Sequence, residues 1–229
     1  MSKIKIIGKM ISDRIKVYGK PKIFCIGLNK TGTTSLEKEM LELGFIVGNQ
    51  MRGTRLLYDW SKRDFRRIRN LCYTAQFFQD SPFSYPFTFI ILDQMFPNSK
   101  FILTERDNAE VWYKSLTKFH SKLWGDGIHP PTTEELKNAP GPKKGFRYDS
   151  RFLVTDVPLD QPYKKDFLID YYETHNKYVK EYFRHSQNKL LVINISKPED
   201  YKRFCDFIGK EAKKTSFTWA NKTSDIKPK

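Results

Sequence analysis

Histidine and cysteine are scarce in this chain, 4 and 3 among 229 residues. They are dispersed without ligand spacing, which argues against a metal site and against a disulfide framework. Three scattered thiols fit a reducing compartment, and Cys25, inside an apolar run, reads as a small core residue. Long apolar stretches are missing too. The first twenty residues carry Lys3, Lys5, Lys9, Arg14, Lys16 and Lys20 with no continuous apolar core. Neither a secretory signal nor a membrane anchor is expected, and the reading is a cytoplasmic protein. Acidic residues are in deficit, 26 against 41 basic ones, for a net charge of +15.

That excess invites a polyanion reading. Arg52, Arg55, Lys62, Arg63, Arg66, Arg67 and Arg69 read as one basic helix, and such a face attracts polyanions through counterion release. No RNA or DNA module accompanies it and the aromatics follow core spacing, so a specific nucleic-acid partner is not expected. The same charge would steer multiply anionic small substrates.

A chain of this size buries roughly 70–75% of its unfolded surface in one core, and 1–229 reads as a single domain. Strands are expected near 22–27, 45–48, 101–105 and 190–195, with helices near 33–43, 55–70, 86–96, 108–121, 163–185 and 198–210. The alternation implies an α/β fold, a mostly parallel sheet with helices on both faces. The segment 125–161, rich in Pro, Gly, Lys and Asp, breaks the rhythm and reads as a lid or insertion over a binding site.

The most specific stretch runs from Lys22 to Leu36. A short apolar run, Lys22 to Ile26, breaks into a Gly/Thr loop, after which Leu36, Met40, Leu41 and Leu43 recur at helical intervals. A loop between strand and helix exposes the first N–H groups of the helix and its positive dipole end, a site for a phosphate-type anion. Gly32 permits close backbone approach, Thr33, Thr34 and Ser35 add hydroxyls, and Lys30 adds a cation. A nucleotide triphosphatase loop has Lys directly after its second Gly. Here Gly27 and Gly32 have that separation but Thr33 stands in the Lys position, which disfavours kinase or GTPase chemistry.

A second strand, Phe101 to Thr104, ends in Glu105-Arg106 and enters a helix capped by Asp107 or Asn108. Arg106 then lies at the carboxyl edge of the sheet, facing the same crevice as Lys30. Ser115, two to three turns into the helix, can offer a hydroxyl to a second phosphate. Phe89-Ile90-Ile91-Leu92-Asp93 imitates a magnesium-holding strand, but Phe89, Leu92, Met95 and Phe96 keep helical spacing between Pro86 and Pro97. A buried helix with Asp93 on its surface is expected there.

Together these segments resemble the sulfotransferase superfamily that uses 3'-phosphoadenosine 5'-phosphosulfate (PAPS), in its bacterial-type branch. Supporting stretches are Phe96 to Lys100, Trp112-Tyr113, Tyr172 to Asn176, and Phe217 to Lys222. The resemblance implies a P-loop-like three-layer sandwich. It implies that Lys30, Thr31, Gly32, Thr33, Thr34 and Ser35 hold the 5'-phosphosulfate, and that Arg106 with Ser115 holds the 3'-phosphate. Arg106 and Ser115 stand one position further apart than the family's spacing, so Lys114 and Thr117 are alternatives to Ser115. Sulfuryl transfer builds charge on the bridging oxygen of the leaving nucleotide, where Lys30 is the candidate cation and no metal is needed. The family places an acid or His before an x-Pro step as the base, which here is Asp80 ahead of Ser81-Pro82; His120, Glu105 and Glu39 remain alternatives. The acceptor is read as a small molecule or a glycan, with Trp124, Phe146, Tyr148 and Phe152 as stacking faces and His129 as a polar contact. The competing readings are an atypical kinase and a non-enzymatic polyanion binder.

Overall fold

The computed structural model describes residues 3–218. The resembling positions Trp219 to Lys222 lie outside them. The chain begins with helix α1 (Lys3–Lys16), which the sequence reading did not anticipate. Strand β1 (Ile23–Cys25) follows, wholly buried, and leads through the glycine loop into α2 (Thr33–Glu42). Ile23 and Cys25 join one apolar cluster and Phe24 and Ile26 another, as the two-residue period of a strand buried on both faces demands. Phe24 is the hub of the second cluster, with the rings of Phe78, Phe83, Phe96 and Phe101 centred 5.6–5.9 Å away.

The expected helix at 55–70 is two short ones, α4 (Leu57–Ser61) and α5 (Arg66–Cys72), preceded by a further short helix, α3 (Gln50–Thr54). The break falls where Arg63 takes a left-handed φ of 59° and lays its guanidinium over Phe87, 4.0 Å from the ring centre. The basic residues therefore form no single helical face, and Arg66 and Arg67 pair with Asp64 and Asp59. The expected strand at 45–48 is a single bridge, Val47 to Phe77. The strand at that edge is instead β2 (Phe77–Phe78), too short to show a period.

Helix α6 (Thr88–Met95) is the expected decoy. Its Asp93 is half-buried and bonded to Lys189 at 2.6 Å and Tyr182 at 3.0 Å, an anchored residue where a bare surface one was expected. Strand β3 (Lys100–Thr104) leads into α7 (Ala109–Trp124), whose cap is Asn108, its side chain accepting from Val111 N at 2.9 Å. The 125–161 segment carries two helices, α8 (Thr133–Asn138) and α9 (Phe146–Val154). Helix α10 (Lys165–Tyr182), strand β4 (Leu190–Ile193) and helix α11 (Glu199–Ile208) complete the order.

All strand pairs are parallel and the sheet order is β2-β1-β3-β4. The chain leaves β1 toward one edge and returns to its other side at β3. The switch point, where open α/β sheets collect ligands, lies at the carboxyl ends of β1 and β3. Helices α2 and α11 cover one face; α4, α5, α6 and α10 cover the other.

Candidate active site

The loop leaving β1 is fixed from below. Thr104 at the end of β3 lies 2.5 Å from the Thr31 hydroxyl, which donates to Leu28 O at 2.5 Å. Because Thr31 spends its proton on the carbonyl, Thr104 donates to it. Gly27 passes so close to β3 that a Cβ would stand 2.1 Å from Thr104 Oγ1. Gly32 caps α2 at φ 103°, pressed against Ile195, where a Cβ would meet that side chain at 2.6 Å. The N-cap Gly32 has no side chain to bond the first turn, and the positive end of the α2 dipole points into the loop.

The loop after β3 meets the loop after β1 directly. Arg106 Nε donates to Lys30 O at 2.7 Å, and Arg106 N donates to the Tyr172 hydroxyl at 2.8 Å. From α7, Trp112 Nε1 donates to Asn29 O at 2.9 Å, and the Lys30 ammonium lies 3.5 Å from the centre of the Phe119 ring. His175 of α10, buried, donates from Nε2 to Ile26 O at 2.8 Å. The late stretch Tyr172 to Asn176 thus serves to position both loops.

Lys30 and Asp80 share an uncommon backbone, left-handed at φ 70° and 54° in residues other than glycine. Such conformations cost on the order of 1–3 kcal/mol and persist where surroundings enforce them. Burial pulls the Lys30 pKa down to about 8, helped by the Arg106 charge and opposed by Asp80. Burial pushes the Asp80 carboxyl up to about 6, with the Thr33 hydroxyl and Lys30 opposing and Glu37 adding to the rise. Asp80 Oδ2 accepts from Gln50 Nε2 at 2.7 Å, while Oδ1 is buried and unpartnered among the described residues.

Lys30, Gly32, Thr33, Thr34, Ser35, Asp80 and Arg106 line one cavity of about 380 Å³, and Thr31 lies buried beneath it. Ser115 is half-buried on α7 and does not line the cavity. It sits on the helix face between Trp112 and Phe119, both of which touch the β1 loop.

The alternative bases are otherwise engaged. Glu39, on α2, is buried in contact with Lys214 at 2.8 Å and Tyr201 at 3.4 Å. Glu105 pairs with Lys180 at 2.8 Å. His120 lines the cavity, but Arg151 Nη2 at 3.3 Å has only protons to offer its Nδ1. Nδ1 therefore accepts, from the Tyr163 hydroxyl at 2.8 Å as well, and its lone pair is occupied. Burial, with Arg151 and Lys30 adding repulsion, holds His120 neutral.

Of the aromatics proposed for the acceptor, Trp124 and Phe146 line the cavity. Tyr148 and Phe152 do not line it and pack on each other, ring centres 4.5 Å apart; exposed His129 bonds Asp126 at 2.7 Å. Sequence reasoning passed over Gln50, Tyr85, Phe119, Arg147, Arg151 and Tyr163, because each reaches the cavity from an element whose orientation only the packing decides.

A parallel sheet whose switch point presents a helix N-terminus, a lysine and an arginine on one cavity defines an α/β protein with a candidate anion site at that point. A family model described as a sulfotransferase domain matches residues 22–226, and the chain belongs to that family. A search of curated proteins finds no match. Among the described residues no helix is long and apolar enough to cross a membrane, and no group of three or more His, Cys, Asp or Glu could hold a metal ion.

Proposed function

We propose that the protein moves a sulfuryl group from PAPS to a hydroxyl of a small-molecule or glycan acceptor, without a metal, in the cytoplasm. The observation that carries the reading is the meeting of the α2 N-terminus, Lys30 and Arg106 on one cavity beside a carboxyl whose buried Oδ1 has no partner among the described residues. The donor supplies an activated sulfur and a leaving nucleotide. The α2 N–H groups with Thr33, Thr34 and Ser35 hold its 5'-phosphosulfate, and Arg106 with Ser115 receives its 3'-phosphate. Lys30, cationic below pH 8, neutralises the bridging oxygen as its bond to sulfur breaks. Asp80 takes the acceptor proton as the acceptor oxygen bonds to sulfur; a pKa near 6 makes it a stronger base than an ordinary carboxylate yet leaves it ionised at pH 7. The 125–161 segment, whose Leu136, Phe146 and Ser150 line the cavity, covers the acceptor.

A transfer assay with radiolabelled PAPS and a panel of hydroxyl acceptors tests this reading. Label should move in the parent, and Lys30→Ala should lower turnover about 10²–10³-fold. No transfer to any acceptor, with no hydrolysis of the donor either, would contradict it.

A further inference from the structure

Four cationic side chains and one carboxylate line the cavity: Lys30, Arg106, Arg147 and Arg151 against Asp80. Lys30 and Arg106 stand at the loops after β1 and β3. Arg147 and Arg151 come from α9, one turn apart on the same helix face, and line the same cavity. Neither pairs with a carboxylate among the described residues. Arg147 Nε donates to Pro140 O at 3.0 Å and the guanidinium stacks 4.7 Å from the Trp124 ring centre. Arg151 lies 4.5 Å from the Tyr163 ring centre and bonds His120, which is neutral. Burying a guanidinium without a counter-charge is costly, and burial depresses the Arg147 pKa.

A second, independent feature points into the same space. The Tyr85 hydroxyl is buried and lines the cavity; the Ser81 and Ser150 hydroxyls stand near it, but none among the described residues meets it in hydrogen-bond geometry. An orphaned donor next to two uncompensated guanidinium groups describes a place for oxyanion oxygens, which arginine forks match in geometry.

Building on the sulfuryl-transfer reading, we propose that the acceptor is itself an anion, a hydroxyl compound whose carboxylate or sulfate is held by Arg147, Arg151 and the Tyr85 hydroxyl. Asp80 and Lys30 then act on a hydroxyl at the other end of the molecule, and donor and acceptor each have their own cations.

Calorimetry on the full chain saturated with 3'-phosphoadenosine 5'-phosphate tests this with three matched probes: 4-nitrophenyl β-D-glucoside, its 6-sulfate, and 4-nitrophenyl β-D-glucuronide. At least one charged probe should bind roughly tenfold or more tightly than the neutral glucoside. The tighter of the two distinguishes carboxylate from sulfate. In Arg147→Gln/Arg151→Gln the charged probes should fall to the glucoside's affinity while nucleotide affinity stays at the parent level. Tyr85→Phe, which removes a hydroxyl that makes no well-formed hydrogen bond among the described residues, should keep the parent's melting temperature and weaken the charged probe several-fold; it carries the test if the double variant does not fold. Equal affinity for all three probes, or a preference that survives both variants, overturns the proposal. Failure of the nucleotide to bind counts against the sulfuryl-transfer reading alone, and the same titrations without nucleotide then decide the anion subsite.

Discussion

At the scale of single residues, Lys30 and Asp80 are held in left-handed backbone with pKa values displaced toward neutrality from opposite sides, to about 8 and about 6. The free enzyme's kcat/KM should then rise through pH about 6 as Asp80 ionises and fall through pH about 8 as Lys30 loses its proton. In Asp80→Asn the residual activity should lose the acid limb and keep the alkaline one, with turnover down about 10²–10⁴-fold. An unchanged acid limb in that variant assigns the base elsewhere. The same carboxyl also makes a stability prediction. Its folded pKa lies above the ordinary aspartate value of 3.8, so between pH 3.8 and about 6 the unfolded state holds fewer protons and stability falls as pH rises. Asp80→Asn removes that loss. Urea midpoints should match the parent's near pH 3.5 and exceed them at pH 7.5, since Asn tolerates the left-handed backbone.

At the scale of elements, the β1 loop is stapled to β3 by Thr104, Thr31 and the contact at Gly27. Gly27→Ala forces β1 and β3 apart at the switch point and should lower stability by roughly 1–3 kcal/mol, read in urea unfolding, with donor affinity lost alongside. A parent-like midpoint would show that the loop adapts without moving β3. Much of this region was legible in the chain. The β1 loop, α2 and the Arg106 turn are local signals, with period, glycine spacing and an Asn108 cap all lying within a dozen residues. Strand β2 was not legible, because two phenylalanines carry no period and only pairing with β1 makes them a strand. Helix α8 did leave a trace: Thr132 and Glu135 form a capping box, visible in the sequence but overshadowed by the surrounding Pro and Gly. The break between α4 and α5 falls at Arg63, which lies over the Phe87 ring, a contact from a distant segment. The same limit hid Arg147 and Arg151, which line the cavity only because of how α9 packs.

At the scale of the whole molecule, the net charge of +15 bears on rate and affinity more than on fold. If the cavity's cations take a doubly phosphorylated nucleotide, its affinity should fall steeply between low and moderate salt, as exposed charges are screened beyond about 10 Å at 0.1 M. The central claim is that the switch point between β1 and β3 receives a 3',5'-bisphosphate nucleotide without a metal, with Arg106 reading the 3'-phosphate. Calorimetric titration of 3'-phosphoadenosine 5'-phosphate, AMP and ATP with magnesium, into the parent and Arg106→Ala, tests it most directly. The account predicts that the bisphosphate binds at least tenfold more tightly than AMP or ATP with magnesium, and that Arg106→Ala erases its advantage over AMP. Tight binding of ATP with magnesium and none of the bisphosphate would contradict it.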